Sequence, residues 1–90
     1  PYFVLSLQER QITVSNTELR LLQYLLPRNG ELVRGDELLN LPGEELGSTS
    51  REELEHRVRF LRRKLENSGT GSIEMLPGSR YRFLAHPGST

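Results

Sequence analysis

The segment from Leu54 to Leu65 constrains the possible folds of this chain more than any other part of the sequence. Its apolar residues recur at intervals of four, three and four: Leu54, Val58, Leu61 and Leu65. This spacing places the four side chains along one side of an α-helix. The stretch from Arg57 to Lys64 also carries five cationic side chains and no acid. The sequence therefore predicts a helix that packs by one narrow stripe and exposes a cationic surface.

This cationic surface has two interpretations. A helix that packs by one stripe can enter the major groove of a DNA duplex, where guanidinium groups meet phosphates and base edges. The same pattern occurs on solvated surface helices, which are the commoner case when such a helix is considered alone. The rest of the chain decides between them. The candidate DNA-binding residues are His56, Arg57, Arg59, Phe60, Arg62, Arg63 and Lys64, with Arg80 in a later hairpin.

The 90 residues suffice for one small domain, and their composition excludes several classes of protein. The absence of cysteine rules out disulfides and thiolate metal sites. No apolar run is long enough for a membrane span or a signal peptide, so we expect no membrane contact and a cytoplasmic location. The chain begins with Pro1 instead of methionine, which suggests a piece of a longer protein.

An enzymatic function is not expected. The sequence contains no nucleophile–base pair, no glycine-rich phosphate loop, and no carboxylate pair that periodicity would direct into a cleft. His56 has no second ligand at helical spacing, so no metal site is expected. No cofactor is expected either.

Charge is distributed unevenly, although the formal net charge is zero. Residues 1–55 contain five basic and ten acidic side chains, whereas residues 56–90 contain seven basic and two acidic ones. Eleven of the twelve cations are arginine, which can form paired hydrogen bonds with phosphate or guanine. The asymmetry predicts one cationic working surface and an acidic half that lowers non-specific affinity for DNA.

The first half of the chain predicts a hairpin and two helices. Alternating apolar residues around the turn Gln8–Gln11 predict a hairpin over residues 2–14. Ser15 and Glu18 form a capping box that opens the first helix, and Gly30 follows its end. The apolar face of this helix comprises Leu19, Leu22 and Leu26, flanked by Leu21, Tyr24 and Leu25. A second helix is predicted over Gly35–Leu41, which buries Leu38, Leu39 and Leu41.

The second half predicts a third helix and another hairpin. A polar loop over 44–50 leads to the third helix, which Thr49 or Ser50 caps and which ends near Glu66. A glycine- and serine-rich loop over 67–72 follows. Two strands, Ile73–Leu76 and Arg80–Leu84, then flank a Pro77-Gly78 turn, with Tyr81 and Phe83 on one face of the last strand.

These elements form an α+β fold in the order of a winged helix-turn-helix, with an N-terminal β-hairpin, three helices and a C-terminal β-hairpin. Several stretches follow the order and spacing of one family: Val14–Glu18, Leu21–Leu25, Asn29–Val33, Asp36–Leu39, Leu61–Leu65 and Gly78–Phe83. Through them, the chain from Ile12 to Phe83 resembles the C-terminal effector domain of OmpR/PhoB-type response regulators.

The resemblance implies a DNA-binding output domain of a bacterial transcriptional regulator in a two-component phosphorelay. Its third helix would enter the major groove of double-stranded DNA, and the C-terminal hairpin would act as the wing. Expected partners are a receiver domain in the same chain, RNA polymerase and a second copy in a homodimer. We assign residues 1–86 to the winged-helix domain and residues 87–90 to a flexible tail.

The sequence departs from the family pattern where function is expected. Glu52 and Glu53 stand at positions that normally contact phosphate, and Phe60 replaces the usual base-reading arginine. Pro77 replaces the minor-groove arginine of the wing, and Arg80 replaces a wing glycine. The N-terminal sheet is one hairpin shorter than usual. These departures favour an alternative function, a winged helix that has lost sequence readout and binds protein.

The helical period orders the candidate residues around the third helix. At about 100° per residue, four side chains lie opposite the apolar stripe: His56, Arg59, Phe60 and Arg63. Phe60 can touch a thymine methyl, pack in a dimer or rest beneath the wing. Arg62 can contact phosphate or pair with Glu18 or Glu66, and Arg80 either replaces the lost wing arginine or caps the sheet edge. Arg57 and Lys64 lie beside these four residues on one side of the helix.

Overall fold

The computed structural model describes residues 2–7, 9–41 and 49–85. Within these ranges an N-terminal antiparallel hairpin precedes three α-helices and a C-terminal pair of strands, so the predicted α+β winged helix-turn-helix is confirmed. The expected tail over 87–90 lies outside the described residues, as does most of the polar loop over 44–50. No helix in the described part of the chain is long and apolar enough to cross a membrane.

The N-terminal hairpin consists of strand β1, Tyr2–Leu7, and strand β2, Arg10–Ser15. Leu7 pairs with Arg10, so Arg10 and Gln11 belong to the strand and the predicted four-residue turn was too long. Glu9 has a left-handed backbone (φ 64°), which suits so short a reversal. The hairpin packs on the core through one face, whose residues are Leu5, Leu7, Ile12 and Val14.

Helix α1, Asn16–Leu25, begins with the predicted capping box. The Ser15 amide donates to Glu18 Oε1 (2.8 Å), and the Glu18 amide donates to Ser15 Oγ (3.2 Å). The helix is most deeply buried at Leu21, Leu22 and Leu25, whereas Leu19 and Leu26 are only partly buried. The buried face is therefore rotated from the prediction. A 3-10 turn over Leu26–Arg28 ends the helical segment.

A three-residue strand, β3 (Leu32–Arg34), was missed in the sequence, and helix α2 over Gly35–Leu39 is shorter than predicted. Asn40 is the C-cap of α2, and both its backbone amide (3.2 Å) and its side chain Nδ2 (2.9 Å) donate to the carbonyl of Asp36. The predicted burial of three leucines is confirmed in part, since Leu38 is buried while Leu39 and Leu41 are only partly buried.

Helix α3, Arg51–Ser68, starts at Ser50, whose Oγ accepts from the Glu53 amide (3.2 Å). It runs two residues past Glu66 and closes at Gly69 in the left-handed conformation (φ 72°). The loop predicted over 67–72 was therefore too long at both ends. The apolar stripe is confirmed, since its four residues are completely buried: Leu54, Val58, Leu61 and Leu65.

The C-terminal strands β4, Gly71–Leu76, and β5, Arg80–Ala85, form an antiparallel hairpin, termed here the wing. Strand β3 pairs with the other edge of β5, giving the order β3-β5-β4. A turn over 77–79 joins the wing strands, with Gly78 at φ 80°, as the sequence predicts for Pro-Gly. Tyr81 and Phe83 point into the core, so the wing is fixed to the body of the domain.

Candidate nucleic-acid interface

The outward surface of α3 brings four predicted site residues together. His56, Arg59, Phe60 and Arg63 are all exposed and line one shallow depression on the side opposite the buried stripe. We call this set the outward face. Phe60 is 61% exposed, which is unusual for a phenylalanine on a helix that packs well elsewhere. The outward face therefore combines cationic donors with one apolar ring.

Arg57 is exposed on α3 beside this face, but Lys64 has a different environment. Lys64 Nζ donates to Glu18 Oε1 (2.7 Å) and to the carbonyl of Thr13 (2.9 Å). The Glu18 side chain is only 8% exposed and is also the acceptor of the α1 capping box. Lys64 thus ties α3 to α1 and β2, and its charge is balanced within the domain.

Arg62 is held on the opposite flank of α3 from Lys64. Its Nε donates to Glu66 Oε2 (3.1 Å), and both side chains are about half exposed. Ser72 Oγ donates to the same carboxylate oxygen (2.6 Å), and the two hydrogen bonds, that of Ser72 first, lower the pKa of Glu66. Of the two partners considered for Arg62, Glu66 is therefore the one in contact.

A groove of about 320 Å³ separates α3 from the wing. It is lined by Glu55, Arg59 and Arg62 on α3 and by Met75, Leu76, Pro77, Ser79 and Tyr81 on the wing. Arg59 borders both this groove and the outward face. Phe60 is not among the lining residues, so it does not rest beneath the wing. Burial of the Tyr81 side chain, followed by the nearby Glu55 charge, raises the pKa of its hydroxyl.

Arg80 lies at the tip of the wing and is exposed. Its Nε donates to the carbonyl of Pro77 (2.9 Å), so the guanidinium folds back over the turn that it follows. The neighbouring Arg82 is engaged with Glu74 across the strand pair (2.6 Å). Arg80 is thus an exposed cation at the wing turn.

The first turn of α3 is acidic, and an ion pair orients it. Glu52 and Glu53 are exposed at the positive end of the helix dipole, which favours carboxylates. Arg51 Nη2 contacts Asp36 Oδ1 (2.5 Å) and thereby joins α3 to the start of α2. Sequence reasoning missed this pair, because nothing local to Arg51 indicates a partner fifteen residues earlier.

A second contact fixes α1 against α2. The Tyr24 hydroxyl donates to Glu37 Oε2 (2.5 Å), while Glu37 Oε1 accepts from the Arg34 amide (3.2 Å). The Tyr24 hydrogen bond, with that of the Arg34 amide, lowers the pKa of Glu37, and the same bond to Glu37 raises the pKa of Tyr24. Arg28 lies over the Tyr24 ring, 3.7 Å from its centroid. These contacts hold the helix pair that precedes α3.

Comparison with known protein families finds one match. A family model described as "Transcriptional regulatory protein, C terminal" matches residues 9–83. The matched region contains the three α-helices of the described residues and extends to Phe83 in the last strand of the wing. No curated protein matches the chain.

Proposed function

Because the chain belongs to the family of OmpR/PhoB-type C-terminal domains of transcriptional regulatory proteins, we propose that α3 binds in the major groove of DNA and the wing contacts the backbone beside it. The family consists of DNA-binding output domains and is not an enzyme family. The observation that carries the proposal is the outward face, where Arg59 and Arg63, which pair with no acid among the described residues, lie on an exposed helix surface.

Individual side chains have different roles in this proposal. Arg57, Arg59 and Arg63 contact phosphates or base edges, and Arg80 contacts the backbone from the wing tip. Arg62 contributes its charge while its Nε stays bonded to Glu66. Lys64 is left out of the contact surface, because its ammonium group is committed to Glu18 and Thr13. This last assignment differs from the sequence-based site.

The wider setting of the domain is also part of the proposal. Its resemblance to response-regulator effector domains supports a role in a bacterial two-component phosphorelay, downstream of a phosphorylatable receiver domain. Binding beside a promoter would bring the domain next to RNA polymerase, and pairing of two copies would match a repeated DNA site. We place the protein in the cytoplasm, where such DNA is accessible.

The DNA-binding proposal is tested by titrating a labelled duplex with the domain at several salt concentrations and measuring anisotropy. We expect weak binding whose affinity falls steeply with salt, because the cationic cluster lacks the base-reading arginine of its relatives and counterion release dominates. Salt-independent binding, or no binding at low ionic strength, would contradict the proposal.

Protein binding is the second candidate function. Exposed Phe60 and the acidic start of α3, Glu52 and Glu53, favour it over DNA. Two variants separate the functions. On DNA, Arg59→Ala should lower the salt slope by about one and Phe60→Ala should have the smaller effect. In a protein interface, Phe60→Ala should abolish self-association in sedimentation while Arg59→Ala is tolerated, since a buried aromatic outweighs a rim charge.

A further inference from the structure

Phe60 is an exposed aromatic ring within a cationic surface. Among the described residues, the other large exposed apolar side chains lie on strands: Tyr2, Phe3, Val4, Leu32 and Leu84. Phe60 is therefore the single such side chain on a helix in this part of the protein. Leaving it in water forgoes the stabilisation that burial of a phenylalanine gives. The ring is available for a contact outside the domain.

The neighbours of Phe60 restrict the chemistry of that contact. His56, Arg59 and Arg63 share its depression. Of these residues, only Arg59 also lines the groove that separates α3 from the wing. A partner that covers the ring must also accept hydrogen bonds from cations on the same side. An anionic, acceptor-rich surface with a small apolar group among its acceptors meets both conditions.

The major groove of B-DNA is such a surface. Its bases present nitrogen and oxygen acceptors, and the apolar group among them is the 5-methyl of thymine. We infer that Phe60 reads a thymine methyl group while Arg59 or Arg63 donates to a neighbouring base edge or phosphate. The inference rests on the proposed function and adds a sequence preference to it.

The experiment removes only the methyl group. Duplexes that bind the domain are first selected from a random library, and each thymidine of the selected site is then replaced singly by deoxyuridine. We expect one or two positions at which affinity falls about fourfold, the effect of losing one buried methyl group. The remaining thymidines should tolerate the change, because hydrogen-bonding groups are the same in both bases.

Two variants assign the effect to Phe60. Phe60→Ala should bind thymidine and deoxyuridine duplexes equally, whereas Arg63→Ala on the same face should bind both more weakly and keep the fourfold ratio. Both positions are exposed, and circular dichroism checks that the variants are folded.

The possible outcomes distinguish the inference from the function on which it rests. Equal affinity of the wild-type domain for thymidine and deoxyuridine at every position overturns the thymine contact but leaves DNA binding intact. Persistence of the fourfold ratio in Phe60→Ala also overturns it. Failure of the wild-type domain to bind any duplex overturns both.

Discussion

At the residue scale, adjacent cations of α3 have different roles. Arg63 is exposed on the outward face, whereas Lys64 reaches back to a carboxylate that is only 8% exposed. Removing the partner of a buried acceptor costs more folding free energy than removing a solvated charge that has no such partner. The pair therefore separates a contribution to stability from a contribution to binding.

Lys64→Met should lower the free energy of unfolding by about 1–3 kcal/mol, because Glu18 keeps its burial and loses its cation. Urea denaturation measures this loss. The matched control Arg63→Met should change stability by no more than about 0.5 kcal/mol. Once folded, Lys64→Met should bind DNA like the wild type, and Arg63→Met should bind more weakly. The reverse order in the DNA titration would return Lys64 to the contact surface.

The Tyr24–Glu37 hydrogen bond should make stability depend on pH. The pKa of Glu37 in the folded protein lies below its ordinary value of 4.5. The stabilisation that Glu37 gains from this hydrogen bond is therefore complete above the pKa of Glu37 in the unfolded chain. It is lost as the pH falls through the pKa of Glu37 in the folded protein. Tyr24→Phe should lower stability at neutral pH and flatten the decline below about pH 4.5. Parallel acid profiles in urea denaturation of wild type and Tyr24→Phe would show that the bond does not stabilise the fold.

Single-residue roles were predictable where the partner is local. The α1 capping box follows from Ser15 and Glu18, three residues apart, and the outward face follows from the helical period. The partner of Lys64 lies 46 residues away, and no local pattern encodes it. The sequence left Glu18 and Glu66 as two possible partners of Arg62. In the fold, Arg62 pairs with Glu66, and Glu18 pairs with Lys64.

At the element scale, α3 combines an acidic first turn with a basic body. Glu52 and Glu53 stabilise the helix start through the dipole, yet they repel a DNA phosphate there. Stability and affinity therefore have opposite requirements at the same two positions. The cap at Ser50 does not depend on the side chains of Glu52 and Glu53, since Ser50 Oγ accepts from the backbone amide of Glu53.

Replacing Glu52 with Arg and Glu53 with Thr together should tighten DNA binding, because two repulsive charges leave the phosphate-facing turn. Helix stability should fall by roughly 0.3–1 kcal/mol per charge removed from the dipole. Anisotropy titration and thermal melting measure the two effects. Glu31→Arg, on an exposed loop outside α3, controls for overall charge. Unchanged affinity for DNA in a folded double variant would mean that this turn faces away from the DNA backbone.

Elements whose apolar residues recur regularly were predicted well, whereas short elements were not. The stripe of α3 and the alternation of the wing strand β5 each specify a buried face, so both appear as expected. Strand β3 has three residues, too few to show alternation, and exists because β5 offers it a free edge. The loop expected over 67–72 was overestimated, because composition does not show that Gly71 fits closely against Phe83 within a strand.

At the scale of the whole molecule, the uneven charge of the sequence is expected to orient the domain on an anionic partner. The cationic residues 56–90 supply the body of α3 and the wing, and the acidic residues 1–55 supply the hairpin, α1, α2 and the first turn of α3. A duplex should therefore approach α3 and the wing and be repelled by other surfaces, which limits non-specific binding. The proposed DNA site is accordingly the outward face of α3.

Backbone amide NMR of the labelled domain, with and without a selected duplex, tests the placement most directly. We expect the signals of residues 52–63 on α3 and of residues 78–80 at the wing turn to shift on binding, while those of β1 and the exposed side of α1 stay in place. Shifts confined to β1 and β2, or no shifts at saturating duplex, would contradict it.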